Sequence, residues 1–424
     1  MIAVYGLWHL GCVTAACCSE HIPTVGIDDD IDTLKNLKKG KAPIFEPGLD
    51  DIIKENIASG KLEFKNDKVD ALSKCKLLWI TFDTPINDGD VADVDYVLNK
   101  IKKVVSYVQD ETILLVSSQL PLGTMKKLKN ELKTKKINLA YSPENLRLGN
   151  AVEYFKNPDR VIVGVDSQET RQKLSEILEK FEFKIIWMSI ESAEMTKHAI
   201  NGFLAMSVTY ANELALICEE FGANMYEVSR GLKSEVRIGP GAYLSPGAAY
   251  SGGTLARDID YLKKISSNID NKLNLLNSIS VSNEIHKDWP IKKLIQHLGS
   301  LDSKKIAILG LTYKPNTNTL RRSGNLELAK KIKKMNANVI AFDPMINKEM
   351  DEITDNIGIV KSIEDAFENS HAVIIANSYK EYDYCDWNSL VSSMKNKLII
   401  DANGHIYKEN KDFPSELIYK TVGV

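Results

Sequence analysis

Short apolar, β-branched runs alternate with amphipathic stretches along the first 190 residues. Residues 2–5, 24–27, 77–82, 112–117, 139–142, 161–165 and 184–188 read as strands. Residues 31–38, 94–108 and 168–180 carry apolar positions at helical spacing. Apolar strands separated by helices are joined by crossovers, so this region predicts a doubly wound parallel α/β sheet. The pattern changes near Ile190. Residues 191–222 keep helical periodicity with no proline and only Gly202 and Gly222 inside, which predicts one long helix or two in line. A glycine- and proline-rich stretch, 239–253, leads into a second helical region from 259 to about 297. Strands return at 306–309, 338–342, 372–375 and 398–401. The expected order is therefore α/β, α, α/β, divided at 1–189, 190–298 and 299–424. No repeat of 20–50 residues is visible. The two α/β ends are candidates for distant structural relatives.

A length of 424 residues fits roughly two to three domains. Lys and Arg number 54 against 57 Asp and Glu, a net charge of −3. That balance argues against a nucleic-acid binder, which needs a basic surplus to displace counterions. No apolar run approaches the roughly 20 residues of a membrane span. The N-terminus is apolar but has no basic region before it and runs into a glycine turn, so it reads as a buried strand and not a signal peptide. Six cysteines without paired or metal-ligand spacing fit reduced thiols in a cytoplasmic protein, with no metal expected.

The first strand runs into Gly6-Leu7-Trp8-His9-Leu10-Gly11. The first glycine permits a tight turn, and the last lets the helix pack closely on the strand. The middle position, where a glycine would let backbone approach a pyrophosphate, is Trp8. Asp28 ends the second strand 22 residues after Gly6, where a carboxylate takes the adenosine ribose hydroxyls. The acidic run Asp28-Asp29-Asp30 disfavours a 2′-phosphate, so the expected cofactor is NAD. Asp29 and Asp30 themselves are expected to cap the following helix.

Further segments follow in order: Pro43-Ile44-Phe45-Glu46-Pro47-Gly48-Leu49, Asp83-Thr84-Pro85 with Asp88-Gly89, Ser118-Gln119-Leu120-Pro121 and Ser142-Pro143-Glu144-Asn145. Then come Lys197 with Asn201, Asn212-Glu213, Arg237-Ile238-Gly239, Gly252-Gly253-Thr254-Leu255-Ala256-Arg257-Asp258, Tyr313-Lys314-Pro315-Asn316-Thr317, and Arg321 with Ser323. This ordered set resembles the UDP-glucose/GDP-mannose dehydrogenase family, the nucleotide-sugar dehydrogenases, along nearly the whole chain. The resemblance implies two Rossmann-like doubly wound domains joined by a long central helix and a helical middle domain. It also implies a homodimer formed through residues 191–222, a nucleotide-sugar substrate, and no nucleic-acid or membrane partner.

The family oxidises a sugar C6 alcohol to a carboxylate with two NAD. A cysteine thiolate traps the intermediate aldehyde as a thiohemiacetal, a second hydride transfer gives a thioester, and water hydrolyses it. By resemblance the cofactor residues are Gly6, Trp8, Leu10, Gly11, Asp28, Thr84, Pro85, Gln119, Arg257 and Arg321. The substrate residues are Glu144, Lys197, Asn201, Arg237, Tyr243, Gly252 and Lys314. The catalytic set is Lys197, Asn201, Thr254, Asp258 and Glu144.

The departures are chemical. Thr254 stands at the nucleophilic cysteine's position, and none of Cys12, Cys17, Cys18, Cys75, Cys218 and Cys385 falls in that segment. A threonine hydroxyl has a far higher pKa than a thiol and is a poor aldehyde trap. Gln119 replaces a family threonine, Leu148 a glutamate, and His9 an aromatic residue. The segment Asp401-Ala402-Asn403-Gly404 lacks the family's arginine. Lys197 and Asn201 remain, four apart on one helix face. The same pair is similar to that of β-hydroxyacid dehydrogenases, where the lysine is general acid/base and the asparagine orients substrate in a single oxidation. Asp258 is expected to bond Lys197 or Thr254, or to cap a helix beginning at Ile259.

Three outcomes follow. The enzyme stops after one hydride, at an aldehyde or ketone; or it reaches the acid through a hydrate oriented by Thr254; or it is a non-catalytic nucleotide-sugar binder whose Trp8 fills the cofactor site.

Overall fold

The structure is a computed structural model that describes residues 1–85, 92–132, 135–144, 146–251, 254–266, 273–315, 319–346, 357–407 and 413–424. The chain forms two compact units, Met1–Ala199 and Ile200–Val424.

In the first unit eight strands form one sheet: β1 (Ile2–Tyr5), β2 (Thr24–Ile27), β3 (Leu62–Lys65), β4 (Leu77–Ile80), β5 (Ile113–Val116), β6 (Asn138–Tyr141), β7 (Val161–Val165) and β8 (Ile185–Ser189). Their order is β3-β2-β1-β4-β5-β6-β7-β8. Ile2 pairs in parallel with Thr24 on one side and Leu77 on the other. The strand order reverses at β1, which makes the space beyond its carboxyl end the switch-point crevice of a doubly wound fold. The wholly parallel sheet expected from the sequence is broken once, because β7 runs antiparallel to β6. β3 escapes the sequence pattern because Leu62 and Phe64 are its only buried positions on a four-residue edge strand.

The first helix, His9–His21, is buried through Leu10–Ser19 on every side and built mostly from Gly, Ala, Cys and Val. A helix apolar all round must lie inside the core. Here it lies among Ile2, Val4, Ile53, Leu62 and Ala151.

The long helix Ile190–Phe221 spans 32 residues. The second unit continues with helices Met225–Ser234, Thr254–Ser266, Asn274–Lys287 and Trp289–Leu298. The single helical region expected over 259–297 is thus three helices. Pro290 sits in the first turn of the last one, where a missing N–H costs nothing.

Six strands complete the unit: β9 (Lys305–Leu309), β10 (Asn338–Phe342), β11 (Gly358–Ile359), β12 (Ala372–Ile375), β13 (Leu398–Ile400) and β14 (Ile418–Lys420). Their order, β11-β10-β9-β12-β13-β14, repeats that of the first six strands of the other sheet. The two α/β ends therefore share one topology without a visible sequence repeat. Among the described residues no helix is long and apolar enough to cross a membrane.

Candidate active site

In the first unit the chain turns sharply after β1. Gly6 has φ +104, and a Cβ there would stand 2.9 Å from the Phe82 ring. A Cβ on Gly11 would come within 1.8 Å of the Gly6 carbonyl oxygen. Both glycines are therefore dictated by the close approach of helix to strand. Trp8 is the N-cap of the first helix, contributes no side-chain cap bond, and is 48% exposed. Leu10 and Gly11 are buried behind it.

Asp28 follows β2. One carboxylate oxygen accepts from Leu7 N at 2.6 Å and the other from Asp30 N at 2.9 Å. A carboxylate accepts about four hydrogen bonds, so capacity remains for ribose hydroxyls. A positive-φ glycine, a helix N-terminus and a carboxylate with spare acceptors fit NAD.

Asp30 caps helix Ile31–Leu37 by accepting from Asp32 N. Asp29 does not cap. It accepts from Lys68 Nζ at 2.5 Å, Lys100 Nζ at 2.6 Å and Tyr5 Oη at 2.9 Å. Burial alone would raise its pKa, but these donors outweigh it and hold the carboxyl well below the usual range.

Two buried carboxylates, absent from the sequence-derived site, organise the surrounding loops. Glu46 accepts from His9 Nε2 at 2.9 Å, Gly149 N at 2.9 Å and Ala151 N at 2.8 Å. Despite the cost of burial these donors lower its pKa. Glu194 accepts from Gly123 N and Met125 N, which fastens helix Thr124–Glu131 to the long helix. For Glu46 the available signal was an acidic residue amid apolar neighbours in a segment with no helical or strand period; Glu194, on the long helix, carried no such signal. Thr84 donates to the Gln119 carbonyl at 2.7 Å, while Pro85 is exposed. Lys197 Nζ donates to the main-chain carbonyl of Glu144 at 2.6 Å. Burial raises the Glu144 carboxyl pKa, and the Lys197 charge offsets part of that rise.

In the second unit Asn201 Nδ2 donates to an Asp258 carboxylate oxygen, both residues being buried. Asp258 lies inside helix Thr254–Ser266 and so is not the N-cap of a helix beginning at Ile259. Thr254 opens that helix and is exposed; Arg257 is partly buried.

The loop before Thr254 is held by four side chains. Gly247 N donates to Asn212 and Ala248 N to Asn403, at 3.0 and 2.9 Å. His286 Nε2 meets the Gly247 carbonyl at 2.8 Å, and Asn283 bonds both the N–H and the carbonyl of Tyr250. Burial lowers the His286 pKa, so the neutral ring carries its proton on Nε2 to satisfy that carbonyl.

A crevice of about 280 Å³ opens beside this loop, lined by Tyr313, Asn325, Asn377 and Asn403. These residues follow the carboxyl ends of β9, β12 and β13, at the reversal of strand order. Nucleotides bind at that position in doubly wound sheets. Gly310, with φ +96, repeats Gly6. Asp343 repeats Asp28, but accepts from Leu311 N, Thr312 N, Thr312 Oγ1, Met345 N and Tyr379 Oη within 3.0 Å. Arg237, Tyr243, Lys314 and Arg321 are exposed, and Arg237 pairs with Glu235 at 2.9 Å. Asp88, Gly89, Asn145, Gly252, Gly253, Asn316 and Thr317 lie outside the described residues.

Three sequence models of one family match: the UDP-glucose/GDP-mannose dehydrogenase NAD binding domain over residues 1–182, the central domain over 191–285, and the UDP binding domain over 307–408. A UDP-glucose 6-dehydrogenase of Rhizobium meliloti is 30% identical, over 100% of this chain and 99% of its own. The UDP-glucose 6-dehydrogenase YwqF of Bacillus subtilis is 30% identical, over 100% and 97%. Among solved structures, a UDP-D-ManNAc dehydrogenase from Pyrococcus horikoshii has a TM-score of 0.82 at 26% identity, over 100% of this chain and 99% of its own. A UDP-glucose dehydrogenase from Pyrobaculum islandicum shares the fold, with a TM-score of 0.83 at 24% identity over 100% and 97%. These matches span the N-terminal α/β region, the central region and the C-terminal α/β region: the chain is an NAD-dependent oxidoreductase, and it belongs to the UDP-glucose/GDP-mannose dehydrogenase family.

Proposed function

We propose that this chain takes one hydride from an alcohol of a UDP-hexose-like substrate and releases the carbonyl. The observation that supports the reading is the residue opening helix Thr254–Ser266, a threonine hydroxyl; by the resemblance of its segment, that is the position of the family's nucleophilic cysteine. The six thiols offer no substitute. Cys12, Cys17, Cys18, Cys75 and Cys218 are buried, and Cys385 lies in the C-terminal α/β region. Burial pushes the Cys17 thiol up to about 12 and Cys75 to about 11, so both stay protonated and unreactive.

NAD, when bound, accepts the hydride. Asp28 is assigned to its ribose, the first helix's N-terminus with Gly6, Trp8, Leu10 and Gly11 to its pyrophosphate, and Thr84, Pro85, Gln119, Arg257 and Arg321 to its remaining contacts. Lys197, in its neutral form, takes the hydroxyl proton. The Glu144 carbonyl at 2.6 Å fixes where its Nζ sits. Asn201 holds the reacting oxygen, and Asp258 fixes the direction of its carboxamide. Glu144 and Gly252 complete the sugar contacts. Lys314 supplies charge to the diphosphate, Arg237 reaches a second copy's nucleotide, and Tyr243 contributes to the substrate site from the glycine loop.

The proposal keeps the divisions at 189/190 and 298/299, a cytoplasmic location, and a homodimer through residues 191–222. Support for the dimer is an exposed stripe of Phe203, Tyr210, Ile217 and Phe221, spaced along one helix face. Beside it lies an apolar groove of about 660 Å³.

The test incubates the purified chain with NAD and UDP-glucose or UDP-N-acetylmannosamine, and counts NADH per sugar consumed. One NADH with a carbonyl product is expected. Two NADH with a uronic acid refutes the single-hydride reading.

A further inference from the structure

Two lysines converge beside the carboxylate assigned to the adenosine ribose. Lys68 opens helix Lys68–Leu72, and Lys100 lies on helix Val94–Val105. Both ammonium groups are held by one residue, Asp29, at 2.5 and 2.6 Å. Their side chains are only 20% and 23% exposed, so neither pair is a casual surface contact. Lys68 stands 5.5 Å from the Tyr5 ring centroid, and Lys100 stands 5.6 Å and 5.5 Å from those of Phe82 and Tyr96. Those distances are measured from the ammonium nitrogens, so the aromatic faces and the Asp29 carboxylate hold the same two heads. Asp28, the next residue back, already accepts from Leu7 N and Asp30 N.

The charges of this cluster cancel: Asp28 and Asp29 against Lys68 and Lys100. A 2′-phosphate would bring between one and two further negative charges, about −1.5 to −2 by analogy with other phosphomonoesters. Its neutralisers are present but engaged.

We propose that Asp29 sets the coenzyme's 2′ preference by holding Lys68 and Lys100 in ion pairs, away from a 2′-phosphate. Asp28 selects for a ribose hydroxyl by accepting its hydrogen bond. Asp29 selects against the phosphate by occupying the two cations that reach it, Lys68 and Lys100. This rests on the assignment of Asp28 to the adenosine ribose.

The test is calorimetric binding of NAD and NADP to the full chain, with no turnover required. Asp29→Asn leaves an acceptor for Tyr5 but removes the charge that holds both lysines. It is expected to tighten NADP by about tenfold or more, the worth of one hydrogen bond to a charged group. NAD affinity should move by less than about threefold, since Asp28 is untouched. Adding Lys68→Met and Lys100→Met to Asp29→Asn should abolish the gain. High salt, about 0.5 M, should shrink it. Asp29→Ser gives a second route to the same loss of charge, should the asparagine variant unfold. Unchanged NADP affinity in a folded Asp29 variant that binds NAD overturns the proposal. So does a gain that survives loss of both lysines, because removed repulsion alone would then account for it. Failure of the unaltered chain to bind NAD refutes instead the ribose assignment on which the inference stands.

Discussion

Glu46→Gln isolates the charge at the loop junction beneath the nucleotide turn. The native carboxylate receives three donors: His9 Nε2 and Gly149 N on one oxygen, Ala151 N on the other. Glutamine has the same shape but one acceptor oxygen. Its best orientation keeps the oxygen on the two-donor side and turns its NH2 onto the Ala151 N–H. One buried N–H then faces another, at a cost of about 1.5–3 kcal/mol for a lost bond to a charged group. The two surviving bonds fall from charge-assisted to neutral strength. A total near 3 kcal/mol lowers Tm by roughly 6–12 °C for a unit of this size. The assay is calorimetric unfolding of the full chain from pH 7 to pH 3. Because the folded Glu46 pKa lies below its ordinary 4.5, its stabilisation is complete above that value and is lost as pH falls through the folded one. The gap between native and variant must therefore close in acid. A variant within about 1 °C of the native chain at pH 7, or a gap that persists unchanged to pH 3, refutes the reasoning.

Gly11→Ala places a methyl 1.8 Å from the Gly6 oxygen and 2.8 Å from Thr81 Oγ1. It should destabilise by about 3 kcal/mol, at the upper end of overpacking, and weaken NAD binding together, as urea unfolding and titration would show. Phe203→Glu with Tyr210→Glu puts two charges on the exposed stripe. Sedimentation should then report a folded monomer, and its Tm should lose the concentration dependence that the dimer confers. Thr254→Cys restores a thiol at the start of its helix, and NADH per sugar should rise from one towards two.

Much of the fold was legible because buried parallel strands are continuous apolar runs. The pattern placed eleven strands but missed β3, β11 and β14, which are short edge strands with too few buried residues to show a period, and the reversal at β7, since direction leaves no trace in hydrophobicity. The glycine turn and Asp28 were legible because backbone geometry admits few residues there. The role of Asp29 was not. Its partners Lys68 and Lys100 are distant in sequence and ordinary on any helix surface, and only the fold brings them to one carboxylate. Glu46 was visible as part of a segment, yet its three donors come from positions 9, 149 and 151. The capping alternative for Asp258 arose because its helix was started five residues late, at Ile259 instead of Thr254.

Asp28 and Asp343 occupy the same place in two sheets of the same order, and their hydrogen-bond valence differs. Two donors of the protein meet the first carboxylate, five the second. A carboxylate with all its lone pairs filled by its own chain cannot recognise a sugar. In the second sheet the residue at that place is a bracket that ties the end of β10 to the turn after β9. It follows that the two ends of the molecule, though copies in outline, are not interchangeable as coenzyme sites. Selectivity in the second must come from loop residues around its crevice, and a dinucleotide should saturate one end only.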